Sequence, residues 1–431
     1  MCYPRPMASP SPQSRVSQPR IAPAGGLALL ASALLCLSIT PAVPAHAQET
    51  VQPVFPKEHR VRPASPGVLN EGLRQAVELA SEQQFNAAIL LLEGLREVHG
   101  DDARLLQMLG EVYRELRVWD ESIRFFRRGT QVDPADPQIW AGLGIAYFEA
   151  HQTDSARVAF LESWRLDSKQ AETAGYLGEL ALESGDIAQA RGYFERRLEL
   201  EGETFDALTD LAVVYERSSD WAGARPYLEK AVKVAPELPE AHYNLALLEA
   251  SLGRFHEAVV RANRALALQP DYLDALRFLA VLYFENQICD EAIRYFEQIL
   301  LMAPLDREIR IGLASCLHQL GETDRAVLEL KTLMNHLGED YDLLLIVADF
   351  RLEQGRLDEA LDMAMRALAL DARRPDAHYL LGLTYRKLGL EDQALREFQI
   401  LDDLREAERV ARSQPIESDP DPAPFPRPLS R

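Results

Sequence analysis

The sequence predicts an all-α solenoid of ten stacked helical hairpins, and three observations predict it. First, Ala88, Ser122, Ala156, Ala190, Ala224, Ala258, Ala292, Ala326, Ala360 and Ala394 recur every 34 residues with no insertion or deletion. Such a period means that one supersecondary unit is copied along the chain. Second, with units starting at Leu69, Ala103, Pro137, Ala171, Phe205, Pro239, Leu273, Arg307, Tyr341 and Pro375, the eighth column holds only Ala or Gly. It runs Ala76, Gly110, Gly144, Gly178, Ala212, Ala246, Ala280, Ala314, Ala348 and Gly382. Third, larger apolar residues are spaced for one helical face, and no period-2 run is long enough to suggest a sheet.

The elements follow in chain order. Arg15 and Arg20 precede an apolar run from Gly26 to Ile39, and Ala45-His46-Ala47 is a small-x-small pattern before Gln48. Residues 1–47 are therefore expected to be a signal peptide, which implies an exported chain, periplasmic in a bacterium. The apolar run is shorter than the roughly 20 residues a bilayer requires, so no direct membrane span is expected after cleavage. Cys36 offers a lipoprotein alternative, but Leu35 precedes it where such signals carry a small residue. Residues 48–68, with Pro53, Pro56, Pro63 and Pro66, are expected to be a linker. The repeat array fills 69–408. Residues 409–431 are expected to be the end of a polar capping helix and a Pro-rich acidic tail, since Glu391 to Arg412 has neither Gly nor Pro.

Within each unit, two small columns mark where two helices of a hairpin approach closely. Leu fills the seventh column in most units, Tyr113, Tyr147, Tyr215, Tyr283 and Tyr385 stand in the eleventh, and Phe126, Phe160, Phe194, Phe296 and Phe398 in the twenty-fourth. Gly185, Gly253, Gly321, Gly355 and Gly389 share column fifteen, where a left-handed residue ends the first helix. Pro134, Pro236, Pro270 and Pro304 follow the second helix.

The formal net charge of -21 argues against nucleic acid or an anionic membrane as partner, because both need Lys and Arg to displace counterions. Cleavage leaves two cysteines, Cys289 and Cys316, in adjacent units, where either a disulfide or two packed thiols would fit. Phosphate loops, His-x-x-His, Cys-x-x-Cys and the Gly-x-Ser-x-Gly elbow are absent from the sequence, so neither catalysis nor a cofactor is expected. His242 and His378 occupy column four, a place for a space-filling ring.

Trp140, Leu143, Gly144, Tyr147, Ala156 and Phe160 of the third unit carry the pattern most fully, and it resembles the tetratricopeptide repeat. Gln75, Glu249 and Arg351 depart from it. The resemblance implies a right-handed superhelix whose first helices line a concave groove, and partners that are other proteins, bound as helices or extended peptides. Columns 2, 5, 9 and 12 form a stripe on the first helix, distinct from its buried stripe. Candidate partner-binding residues on that stripe are Val213, Tyr243, Leu247, Arg277, Val281, Phe284, Ile311, His318 and Leu345. Column 2 carries an acidic ladder of Glu172, Asp206, Glu240, Asp274, Glu308, Asp342 and Asp376, which either steers a basic ligand or complements the helix dipole. The function expected is a non-catalytic scaffold. The alternative is an accessory architectural subunit of a membrane-associated envelope secretion or polysaccharide-export complex, held through the convex faces.

Overall fold

The computed structural model describes residues 66–413, which contain twenty helices and no strand. The expected signal peptide, linker residues 48–65 and tail residues 414–431 lie outside the described residues. The helices pair as tetratricopeptide-type hairpins and fall into two compact units.

The unit 66–272 holds α1 (Pro66–Ser81), α2 (Phe85–His99), α3 (Ala103–Glu115), α4 (Trp119–Val132), α5 (Pro137–Glu149) and α6 (Thr153–Leu166). It continues with α7 (Ala171–Glu183), α8 (Ile187–Glu201), α9 (Phe205–Arg217), α10 (Trp221–Val234), α11 (Pro239–Ser251) and α12 (Phe255–Leu268). Pro66, Gly67 and Val68 thus belong to α1 rather than to the linker. The unit 273–413 holds α13 (Leu273–Glu285), α14 (Cys289–Met302), α15 (Arg307–Gln319) and α16 (Thr323–Leu337). It ends with α17 (Tyr341–Glu353), α18 (Leu357–Leu370), α19 (Pro375–Lys387) and the long α20 (Glu391–Ser413).

Local chemistry sets the helix ends. The Asp102, Asp136, Thr204, Asp306 and Asp340 side chains accept N–H bonds at the starts of α3, α5, α9, α15 and α17. Every first helix stops at a left-handed residue in column fifteen. Gly185 (φ 78°) is one, but Gln83, Arg117, His151, Ser219 and Gln287 also adopt φ near 60° there. The next N–H then reaches back to the carbonyl of column eleven, as in Asp186 to Ala181 (2.9 Å) and Arg254 to Glu249 (2.8 Å). That is the bond that closes a Schellman turn.

The small eighth column has a more specific cause than close helix approach. A Cβ on Gly110, Gly144, Gly178 or Gly382 would stand 2.5–2.7 Å from the ring of Phe126, Phe160, Phe194 or Phe398 in the same hairpin. Units whose column twenty-four is Leu or Ala carry Ala at column eight. Phe296 faces Ala280 in its own hairpin's eighth column, and its ring lies instead over Gly312 of the following hairpin. Three of the eleventh-column tyrosines stack on aromatic neighbours, Tyr113 on Phe125 at 5.5 Å, Tyr215 on Tyr227 at 5.4 Å and Tyr283 on Tyr295 at 5.8 Å.

Column four does more than fill space. Trp140 Nε1 donates to Pro134 O (3.0 Å) and Arg310 Nε to Pro304 O (2.7 Å), while the Nε2 atoms of His242 and His378 bond Pro236 O (2.9 Å) and Ala372 O (3.2 Å). Each bond ties a first helix to the loop that delivers it, satisfying a carbonyl no helix uses.

Candidate partner-binding site

The first helices place the candidate stripe. In the unit 66–272, Val213 lies on α9, and Tyr243 and Leu247 on α11; all three are half-buried. The Tyr243 ring meets Tyr272 edge-on at 5.4 Å. In the unit 273–413, Val281 and Phe284 on α13 are also half-buried, and Phe284 meets Phe296 edge-on at 6.2 Å.

The stripe is therefore not the row of exposed apolar side chains that the sequence predicts. Ile311 on α15 and Leu345 on α17 are each only 8 % exposed and belong to the core, not to a docking surface. For Leu345 the cause is packing between consecutive first helices, since α17 meets α19, as α3 meets α5 and α7 meets α9. The two polar candidates are also engaged. Arg277 pairs with Asp306, and His318 lies between Thr323 Oγ1 and Glu353 Oε2, both at 2.9 Å, with its ring stacked 4.0 Å from Phe350.

What remains open on this face is a small apolar hollow. Val281, Phe284, Phe296, Ile309 and Gly312 line about 30 Å³, together with Glu285 and Glu308. Burial raises the Glu285 carboxyl above its ordinary range.

All seven acids of the ladder sit in the first turns of their helices, where the dipole favours them. Asp342 is bound by Arg374 (2.7 Å) and Arg307 (3.6 Å), Asp376 by Arg374 (3.5 Å), and Asp206 by Arg197 (3.8 Å). One oxygen of Glu240 is buried without a hydrogen-bond partner, and Glu308 borders the hollow. No ion pair is recorded for Glu172 or Asp274 among the described residues.

Sequence reasoning missed a second feature of the same stripe. In the unit 66–272, columns 9 and 12 carry Glu179 on α7 and Glu216 on α9, and burial pushes both carboxyls up to about 7. Burial raises Asp210 to about 6 although Arg197 Nη1 is 2.7 Å from it. The signal was present, since Glu179 and Glu216 stand in stripe columns, but the burial that sets them apart from a solvated acid is not visible in the sequence.

The two charged residues of the tyrosine column, Glu249 and Arg351, are compensated. Glu249, with a side chain 3 % exposed, is held by Arg225 and Arg254, each at 3.2 Å. Arg351 is held by Asp324 (2.5 Å), Glu359 (3.0 Å) and Gln354 (2.6 Å).

Cys289 and Cys316 are free, buried thiols, and Cys289 Sγ donates to Gln319 Oε1 (3.1 Å), one turn beyond Cys316 on α15. Among the described residues no His, Cys, Asp and Glu cluster could hold a metal, and no helix is long and apolar enough to cross a membrane. Large exposed apolar side chains concentrate on second helices: Leu90, Val158, Val260 and Leu328 share column twenty-two, and Leu301 on α14 is 83 % exposed.

Family models described as tetratricopeptide repeat match residues 105–138, 177–239, 209–272, 243–288, 289–345 and 348–408. The TPR repeat-containing protein YpiA of Bacillus subtilis (strain 168) is 28% identical over 120 residues, which are 28% of each chain. The chain thus spans little more than a quarter of that relative's length. Among solved structures, Pseudomonas aeruginosa pilF is 17% identical, covering 49% of this chain and 96% of its own, with a TM-score of 0.44. The C-terminal part of a TPR repeat-containing protein from Cytophaga hutchinsonii is 16% identical over 56% of this chain and 99% of its own, with the same TM-score of 0.44.

Proposed function

Because the chain belongs to the tetratricopeptide repeat family, we propose that it is a non-catalytic scaffold that holds segments of other proteins against its first helices. The observation that carries this reading is the hollow beside Val281 and Phe284, apolar in its lining, with Glu285 and Glu308 among the residues around it. It suits a small apolar side chain followed by a Lys or Arg, because a desolvated carboxylate gains most from an incoming cation. The half-buried Glu179 and Glu216 give the unit 66–272 the same appetite for cations.

A second reading rests on the exposed apolar residues of the second helices, which suit an architectural subunit held through that face in a membrane-associated complex. A photo-crosslinking residue placed in turn at Val281 and at Leu301 separates the two. The first reading expects one defined adduct from position 281, lost on Phe284→Ser while the helical circular dichroism is kept. Adducts from position 301 alone would replace it with the second.

We further propose export to a bacterial periplasm, supported by Arg15, Arg20, the apolar run and Ala45-His46-Ala47. N-terminal sequencing of the mature chain should start at Gln48; a mature chain starting at Met1 overturns it.

A further inference from the structure

We propose that Cys289 and Cys316 form a disulfide-closing site, which takes an external disulfide of the glutathione class and clamps consecutive hairpins of the unit 273–413 together. The two cysteines stand in different hairpins, at the first residue of α14 and near the end of α15, on helices that pack against each other, and both side chains are buried there. Cys289 Sγ also reaches Gln319, one turn beyond Cys316, so its side chain lies along the α15 face that carries its partner. Neither thiol has an ion pair or metal among the described residues, and no other described cysteine competes for either.

The two sulfurs differ in their access to an oxidant. Cys316 is fully buried, and burial pushes its thiol well up, which makes it a poor first nucleophile. Cys289 is 4 % exposed and opens a helix directly after Gln287, a non-glycine residue held at φ 60°, and the exposed Ile288. The first turn of α14 is thus where the smallest local opening brings sulfur to solvent.

Cys289, having lost its proton to water, bonds one sulfur of the glutathione disulfide and releases one glutathione thiolate. Cys316 then loses its proton, attacks the Cys289 sulfur and releases the second glutathione. Two protein S–H bonds and one external S–S bond become one internal S–S bond and two external thiols, so the protein is oxidised by two electrons and the glutathione disulfide reduced by the same two.

The test uses the full chain carrying Cys2→Ser and Cys36→Ser, equilibrated in glutathione redox buffers, with peptide mapping under non-reducing conditions. The expected product is a linked Cys289–Cys316 peptide, with an equilibrium constant at least about tenfold larger in native buffer than in urea. Its thermal midpoint should rise by about 5–10 °C on oxidation. Cys316→Ser should trap glutathione on Cys289, whereas Cys289→Ser should leave Cys316 unmodified. Free thiols at equilibrium in native buffer, or a constant no larger than in urea, would overturn the site. Glutathione on Cys316 of the Cys289→Ser chain would overturn the order of attack.

Discussion

Gly178 lies directly beneath the ring of Phe194, so close that a methyl group on its Cα would stand 2.5 Å from the ring carbon Cε1. Gly178→Ala therefore sets a helix-propensity gain of about 0.5–1 kcal/mol against an overpacking cost of about 1–3 kcal/mol. We expect a net loss of stability in urea titrations. Gly192 in α8 is the control, because nothing lies within 4 Å of its Cβ position, and Gly192→Ala should add about 0.5–1 kcal/mol. Equal effects of the two substitutions would refute the ring-over-glycine account.

Ser219 pays for a turn that Gly253 makes freely. Both end a first helix in the left-handed region, at φ 57° and 73°, but a Cβ there costs on the order of 1 kcal/mol. Ser219→Gly should raise the thermal midpoint, and Gly253→Ser should lower it. A lower midpoint for Ser219→Gly would mean that the serine side chain contributes more than its strain costs.

These two rules show how far the sequence could be read. The 34-residue phase, the hairpins and the column-fifteen turns follow from contacts inside a unit, so their residues recur and can be seen by aligning the units. The burial of Leu345 is not legible in its own repeat, because it arises where the consecutive first helices α17 and α19 meet. The rotation from one hairpin to the next decides that, and no column encodes it. Glu249 and Arg351 looked anomalous for a related reason: a partner of each, Arg225 for Glu249 and Asp324 for Arg351, comes from the preceding repeat. That Cys289 lies along the α15 face that carries Cys316 follows from the packing of α14 on α15, a contact between repeats that the spacing of the two cysteines leaves open.

Glu216 makes stability depend on pH in an unusual direction. Burial alone raises its carboxyl from 4.5 to about 7, so between those values the folded chain binds more protons than the unfolded chain. Stability of the unit 66–272 should then fall as pH rises from about 4.5 to about 7, with Glu179 acting in the same sense. Glu216→Gln removes the charge but keeps the shape. It should add about 1–3 kcal/mol at pH 8 and nearly nothing at pH 5. A benefit independent of pH would show that the carboxylate is not the cause.

Glu249 carries the buried charge of its cluster, whereas Arg225 and Arg254 keep 35 % and 40 % of their side chains exposed. That asymmetry decides which deletion hurts. Removing the glutamate lets both guanidinium groups turn to water, leaving a cavity as the main cost. Removing both arginines strands a carboxylate at 3 % exposure, for which about 3–5 kcal/mol is the usual penalty. Arg225→Ala with Arg254→Ala should therefore destabilise the unit 66–272 more than Glu249→Ala does. Adding Glu249→Tyr to the double variant removes the stranded charge and restores the ring found in the same column at Tyr215, so most of the loss should return. Urea titration of the four chains closes the cycle. If Glu249→Ala proves the costliest of them, the cluster is held by packing around the glutamate and not by its compensated charge.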